Sequence, residues 1–362
     1  MPDAGQAPAI YGPRPILTVA GQTQTLLGDR LLGLCVEEDV EGLYRAELTI
    51  ANFDHLNDGY GFQYFDRTLL DFGTPVVIQM GSGTATDTIF TGTITALEGR
   101  FPHVRPPEIL IKAEDRLQDL RMSRRTRTFE NLSDADLFQQ IASQQGLTAN
   151  IDASGPTYPV LAQVNQSDLA FMRERARAVD AELWVDDKQL SVVSRSKRQT
   201  NAFTLTYHQG LFEFICMADL ADQATGFTVS GWDVTGKQAL SYQATSSALG
   251  GELNGDLGGS AILQQAFGQR NQQVVHQLPF TTQETQALAE AHYRRWARRF
   301  VTGTGVADGD GRIQVGSNLT LMGLGTLFEG TFYVTAARHV FDPKTGYRTW
   351  FSVERPGIGQ SS

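Results

Sequence analysis

The stretch Gln163–Val164–Asn165–Gln166–Ser167–Asp168–Leu169–Ala170–Phe171–Met172–Arg173 reads as the start of a helix. Ser167 is of the type that caps a helix N-terminus, and Asp168 falls in the first turn, where the helix dipole favours a carboxylate. Leu169, Met172, Ala176 and Val179 then recur at 3–4–3 spacing and predict one buried stripe. Upstream, Ser133 caps an earlier helix, with Leu132 and Leu137 at hydrophobic-staple spacing. Phe138, Ile141 and Ala142 form its apolar face, and Gly146 supplies a left-handed stop. Downstream, Glu182–Leu183–Trp184–Val185 and Leu190–Ser191–Val192–Val193 flank Asp186–Asp187–Lys188 as a β-hairpin. Residues 116–198 therefore form a small α/β module.

Both flanks of this module are β-rich. Residues 16–19, 46–50, 75–80, 90–97 and 108–113 are short strands with turn signals between them, the pattern of a closed barrel or sandwich. After the module, strands are expected at 203–205, 211–215, 226–232, 318–322, 331–337 and 349–353. A helix near 283–300 carries Ala289, Tyr293, Trp296 and Phe300 on one side and Arg294, Arg295, Arg298 and Arg299 near its end. Residues 246–260, rich in Gly and Ser, are expected to be a loop. The fold class is mainly β with an α/β insert (α+β). The division is 12–115, 116–198 and 199–356, with residues 1–11 and 357–362 as flexible ends.

The chain has 362 residues, too many for one comfortable core, and a net charge of −10. An acidic balance speaks against sequence-independent nucleic-acid binding, which rests on neutralising phosphates. Cys35 and Cys216 are too few and too far apart for a disulfide framework or a zinc site, and read as small buried hydrophobes. No secretory signal and no apolar run of membrane-spanning length is visible.

The sequence carries no recognisable catalytic residue, cofactor site or metal site. None of the six histidines has the helical spacing of a zincin, and no nucleophile elbow, dinucleotide fingerprint or phosphate loop is present. His339 reads as a hydrogen-bonded structural histidine. Asp308–Gly309–Asp310–Gly311 is a turn, because Leu319 occupies the position where a calcium loop needs glutamate. Glu37, Glu38, Asp39 and Glu41 make an acidic cluster, read as a solvated strand end, with paired-carboxylate chemistry as the competing reading. The arginines at 294–299 read as a solvated or subunit-facing stripe, with phosphate or nucleic-acid binding as the competing reading, and are the candidate interface residues.

The helix start at 163–173 resembles the "Q-x-N-x-S-D-x-x-F" segment of the phage late control gene D family, which includes the hub part of type VI valine-glycine repeat proteins. Asn165, Ser167, Asp168 and Phe171 carry that resemblance. Gly330, Phe332, Val334 and His339, then Gly346, Tyr347 and Thr349, are similar to the closing strands of that family, "G-x-Y-x-V-x-x-x-x-H" and "G-Y-x-T", with Tyr333 in the same strand. The strand ending at Trp232 is also similar. Phe332 departs from the usual tyrosine. Asp180 ends the second helix where glycine is usual, and aspartate tolerates the left-handed conformation better than most residues.

The resemblance implies two tube-like antiparallel β-barrels per chain, and a homotrimer whose six barrels adapt a threefold spike to a sixfold inner tube. It implies a structural role, not an enzyme, in a contractile phage tail, tailocin or related injection machine. Assembly is expected in the cytoplasm of the producing cell and residence in the baseplate of the particle. Because the sequence stops just past the last hub strand, the spike is expected to be a separate trimeric protein. Two other readings compete: a cell-wall-degrading component using the cluster near Glu37, and a glycan-binding component using the aromatics and the 246–260 segment.

Overall fold

The computed structural model describes residues 14–56, 59–81, 86–198 and 201–359. Alternating apolar residues build one thirteen-stranded sheet that runs through both β-rich flanks. In its first half, strands Ile16–Val19, Pro75–Met80, Asp87–Arg100, Glu108–Glu114, Arg45–Ala51 and Leu31–Asp39 lie side by side. Leu17, Leu48, Ile50, Ile78, Ile94 and Ile111 alternate inward and pack a common core. Ile16–Val19, whose other edge carries the short strand Gln22–Thr23, does not pair with Leu31–Asp39 among the described residues. The short helix Thr25–Asp29 connects them and adds Leu27 to the core. This first unit is a rolled sheet.

The second unit closes. Gly330–Asp342, Asn318–Met322, Ala202–Tyr207, Gly210–Ala218, Val301–Asp308 and Gly346–Arg355 follow one another, and the last pairs back onto the first to complete a six-stranded barrel. Leu319, Leu321, Phe332, Val334, Phe351 and Val353 fill it. Both expected β units are thus present, and hydrogen-bonded closure belongs to the second. The two share strands at one edge: residues 34–39 pair antiparallel with 336–341. Phe341 crosses over to pack in the first core.

The insert has a core of its own. Helices Asp134–Gln144 and Asp168–Ala178 lie with the antiparallel pair Arg124–Ser133/Thr157–Ser167 and the hairpin Ala181–Asp186/Gln189–Ser194. Ser133 makes a reciprocal capping box with Asp136, and Ser167 caps the second helix through Ala170 N–H. The predicted stripe Leu169, Met172, Ala176 and Val179 is buried. Leu43, from the first unit, is buried in the same core.

A fourth apolar cluster lies on the side of the second unit. Helix Thr282–Arg298 packs Leu288, Ala289 and Tyr293 against Phe227 and Val229 of the small sheet formed by Gly226–Asp233, Gln238–Ala244 and Asn271–Val274. The segment expected to be a loop joins this cluster: residues Ser246–Leu253 form 3-10 turns, and Gly259–Phe267 is a helix. Leu249 anchors the turns by burial, and Gly250, at φ +57°, permits the kink between them. The flexible end expected from 357 is also corrected. Gly357–Ile358 pairs with Leu257–Gly258 and buries Ile358, while residues 360–362, the expected flexible end at 1–11 and the turn residues Ser82 and Gly83 fall outside the described residues. The two cysteines are half-buried and free, not enclosed. Cys35 lies on the opposite face of its strand from the buried Leu34 and Val36, and its Sγ accepts from Arg338 Nε at 3.1 Å.

Candidate functional site

The residues singled out by the sequence form internal braces. In the first brace Asp168 is 1% exposed and accepts from Arg127 Nη2 at 2.7 Å and from Gln163 Nε2 at 2.9 Å. Arg127 Nε donates to Gln163 Oε1 at 2.8 Å, and Gln163 Nε2 also donates to the Gln166 carbonyl. Burying a carboxylate is costly unless its oxygens are hydrogen-bonded and paired, as they are here. Asn165 takes a left-handed conformation at φ +48°, where the pairing of strand Thr157–Ser167 with Arg124–Ser133 shifts register. Its N–H donates to Thr126 Oγ1. Phe171 stacks on Phe129.

The second brace is His339, buried on the strand shared by the two β units. Its Nδ1 faces the Tyr347 hydroxyl at 2.8 Å and the Thr349 hydroxyl at 3.2 Å. Burial lowers its pKa to about 4, so the ring is neutral at neutral pH. Thr349 Oγ1 also accepts from Asp310 N–H. Gly309 lies against the Tyr347 ring so closely that a Cβ there would collide with it. Gly346, at φ +74°, forms the tight turn that returns the chain for this contact.

Between the insert and the second barrel, Tyr333 donates to Glu182 Oε2 at 2.6 Å. Arg198 Nη1 donates to the same oxygen at 2.9 Å, and its Nη2 donates to the Tyr44 hydroxyl at 2.9 Å. Arg195 lies over the Tyr333 ring and pairs with Glu354 at 2.5 Å. Glu182, Arg195, Arg198, Glu354 and Tyr44 were not singled out by sequence. They come from four separated segments and carry no local pattern.

The arginine-rich helix is only partly a surface stripe. Arg298 is 2% exposed and forms paired bonds to Asp180 at 2.6 and 2.8 Å and to Glu252 at 2.7 Å. It is therefore withdrawn from the candidate interface, because its charge is met inside the chain. Arg294 bonds the Ala248 carbonyl and Glu290, Arg295 donates to the Arg177 carbonyl, and the exposed Arg299 lies near the Trp296 ring. Asp180 holds φ +54° at the helix end, as expected of its cap, and in addition supplies the carboxylate for Arg298. Trp232 is half-exposed, and its N–H donates to the Pro279 carbonyl.

A cleft of about 490 Å³ opens at the acidic cluster, between the end of strand Leu31–Asp39 and the second barrel. Each of the four carboxylates there has an internal partner. Glu37 pairs with Arg338 at 3.0 Å, Glu41 pairs with Arg177, and Asp39 accepts from Glu41 N–H. Glu38 turns inward and accepts from Val315 N–H at 2.7 Å, which corrects the picture of a wholly solvated strand end. Burial raises its pKa to about 7. Asp115, bonded by the Tyr44 and Leu117 N–H groups, is likewise raised to about 7 by burial. Among the described residues no three His, Cys, Asp or Glu side chains are grouped to hold a metal, and no helix is long and apolar enough to cross a membrane.

A family model described as the Alg8 N-terminal domain matches residues 20–342. The chain belongs to that family. No curated protein matches it. Among solved structures, the 43 kDa tail protein of prophage MuSo2 from Shewanella oneidensis is 11% identical, with a TM-score of 0.69 over 95% of this chain and 98% of that one. A tail protein from Neisseria meningitidis MC58 is 14% identical, with a TM-score of 0.67 over 96% and 98%. The E. coli c3393 protein, a type VI secretion component described as similar to the T4 tail proteins gp27 and gp5, is 12% identical, with a TM-score of 0.59 over 95% and 79%. At these identities the likeness is one of fold. This member of the Alg8 N-terminal domain family has the β-rich fold of phage tail and type VI baseplate proteins, as the motif resemblance implied.

Proposed function

We propose that the protein is a non-catalytic baseplate hub of a phage tail or a phage-tail-like injection machine. Three copies gather about a threefold axis and seat a separate trimeric spike on the sixfold inner tube. The observation that carries this reading is the fusion of two β units in one chain through the ladder 34–39/336–341. Three such chains offer six β units, the number a sixfold tube requires of its adaptor. The fold likeness to tail proteins supports the same reading, as does the internal pairing of every carboxylate in the acidic cleft. In this reading residues 12–115 and 199–356 build the ring and 116–198 stands beside it. The motif residues from Asn165 to Thr349 shape the protomer, and the half-exposed Trp232 and exposed Arg299 remain candidates for contact with neighbours. The protein assembles in the cytoplasm of the producing cell and resides in the baseplate of the particle, without a specific nucleic-acid partner or a cofactor.

Native mass spectrometry of the purified chain, alone and with its cognate spike and tube proteins, tests the proposal. Trimers, and a complex of three hubs with three spike chains, are the expected species. A monomer at every concentration that ignores both partners would overturn it. Peptidoglycan clearing abolished by Glu37→Gln would replace it with the enzymatic reading.

A further inference from the structure

A second cleft, of about 470 Å³, lies between the turns at Gly251–Asp256 and the ends of the last two barrel strands. Four arginines line it: Arg195, Arg198, Arg298 and Arg355. Three have strong acidic partners. Arg195 and Arg198 share Glu182, Arg195 also pairs with Glu354, and Arg298 is held by Asp180 and Glu252. Arg355 differs. It is 4% exposed, its nearest carboxylate is Asp256 at 3.5 Å, and Asp256 is itself about a third exposed. Its other bonds, from Nη1 and Nη2, go to the Glu329 and Leu327 carbonyls. Its Nε–H, like that of Arg198, is buried and has no hydrogen-bond partner among the described residues. A guanidinium taken out of water with one distant counter-charge is poorly compensated, and a buried donor left unpaired is costly.

The surrounding backbone is shaped around this one side chain. Gly330 holds φ +135°, and a Cβ there would collide with Arg355 Nη1. The glycine of the closing-strand motif therefore admits the guanidinium. The ring of Phe332 lies 4.5 Å beneath it. A fork-shaped cation of this kind, fixed in place beside an open cleft, matches the two oxygens of a carboxylate or phosphate.

We propose that Arg355 is the anchor of an oxyanion-binding site in this cleft, taking a free inorganic oxyanion or the carboxylate of another polypeptide. The incoming oxygens accept from the guanidinium and displace Asp256, its distant competitor. The inference is independent of the hub reading, since it concerns one protomer.

Calorimetric titration of the full chain with inorganic phosphate, and separately with glutarate, at matched ionic strength tests it. Saturable binding at one site per chain is expected, lost in Arg355→Gln and about tenfold tighter in Asp256→Asn, equivalent to one charge-assisted hydrogen bond gained. Preference for phosphate identifies a free anion as the ligand, and preference for glutarate identifies an acidic side chain. No saturable binding of either probe, or binding unchanged in Asp256→Asn, overturns the proposal. Asp256 is exposed enough to be replaced without loss of the fold, so that variant decides the matter even if Arg355→Gln does not fold.

Discussion

The insert meets the first β unit and the second in different ways. Toward the first unit the junction is mainly apolar and tight, with the exposed Glu41–Arg177 pair at its edge and Arg198 reaching the Tyr44 hydroxyl. Leu43 is buried in the insert core beside Leu117 and Leu120, and Gly42 lies so close to the Leu183 carbonyl that a side chain there would collide. Arg173 completes the junction by donating to the Glu41 and Gly42 carbonyls. Toward the second unit the junction is ionic: Asp180–Arg298–Glu252, Glu182 with Tyr333 and Arg198, and Arg195–Glu354. Ala178 is the insert's one contribution to the buried apolar cluster on that side among the described residues. Burial of apolar surface responds little to salt or pH, whereas charged junctions depend on every partner staying in place and in its charge state. The insert and the first unit should therefore behave as one body, with the second unit held by replaceable polar links.

The largest expected effect comes from removing the centre of the ionic junction. Arg298→Met strands Asp180 and Glu252 and should cost about 3 kcal/mol in urea unfolding. Adding Asp180→Asn should recover part of that loss, with a coupling of roughly 1 kcal/mol or more in the double-mutant cycle. Strict additivity would mean that the junction is not the unit described here.

A smaller loss, about 2–3 kcal/mol, is expected for Leu43→Ala, from lost burial plus a cavity. It should be the same at low and high salt. A strong salt dependence would break the contrast between the two junctions.

The third effect is a slope. Glu38 and Asp115 have folded pKa values raised to about 7, from 4.5 and 3.8. Between those limits the folded chain binds more protons than the unfolded chain, so both groups make stability fall as pH rises from about 4 toward 7. Each contributes at most about 1.4 kcal/mol per pH unit. Glu38→Gln keeps an acceptor for Val315 N–H and should flatten the curve in that window. An unchanged slope would show that Glu38 titrates normally.

Much of the architecture was legible from local pattern. The capped helices at Ser133 and Ser167, the hairpin around Asp187 and the strands at 16–19, 46–50, 75–80, 90–97 and 108–113 rest on neighbours a few residues apart, whereas the strand Leu31–Asp39 carried no such signal. The motif positions were also visible, but not their purpose. Asp168 needs Arg127, Tyr333 needs Glu182, and Tyr347 needs His339 and the bare backbone at Gly309, all partners set by the tertiary fold. The segment 246–260 was misread for the same reason. Its composition is that of a loop, and its order comes from one buried leucine and from Glu252 reaching Arg298. Arg298 looked like part of a surface stripe because its two acids lie 46 and 118 positions away.

The edge pairing of strand Leu31–Asp39 with Gly330–Asp342 has a mechanical consequence. The two β units are joined by an antiparallel ladder between residues 34–39 and 336–341, not by a flexible tether. A pull directed along those strands loads many rungs together, in shear, and Phe341 seated in the far core resists sliding. A pull across them would open the rungs one after another. The protomer is therefore stiff along one axis and weak along the other, and any force it transmits should run parallel to that shared edge.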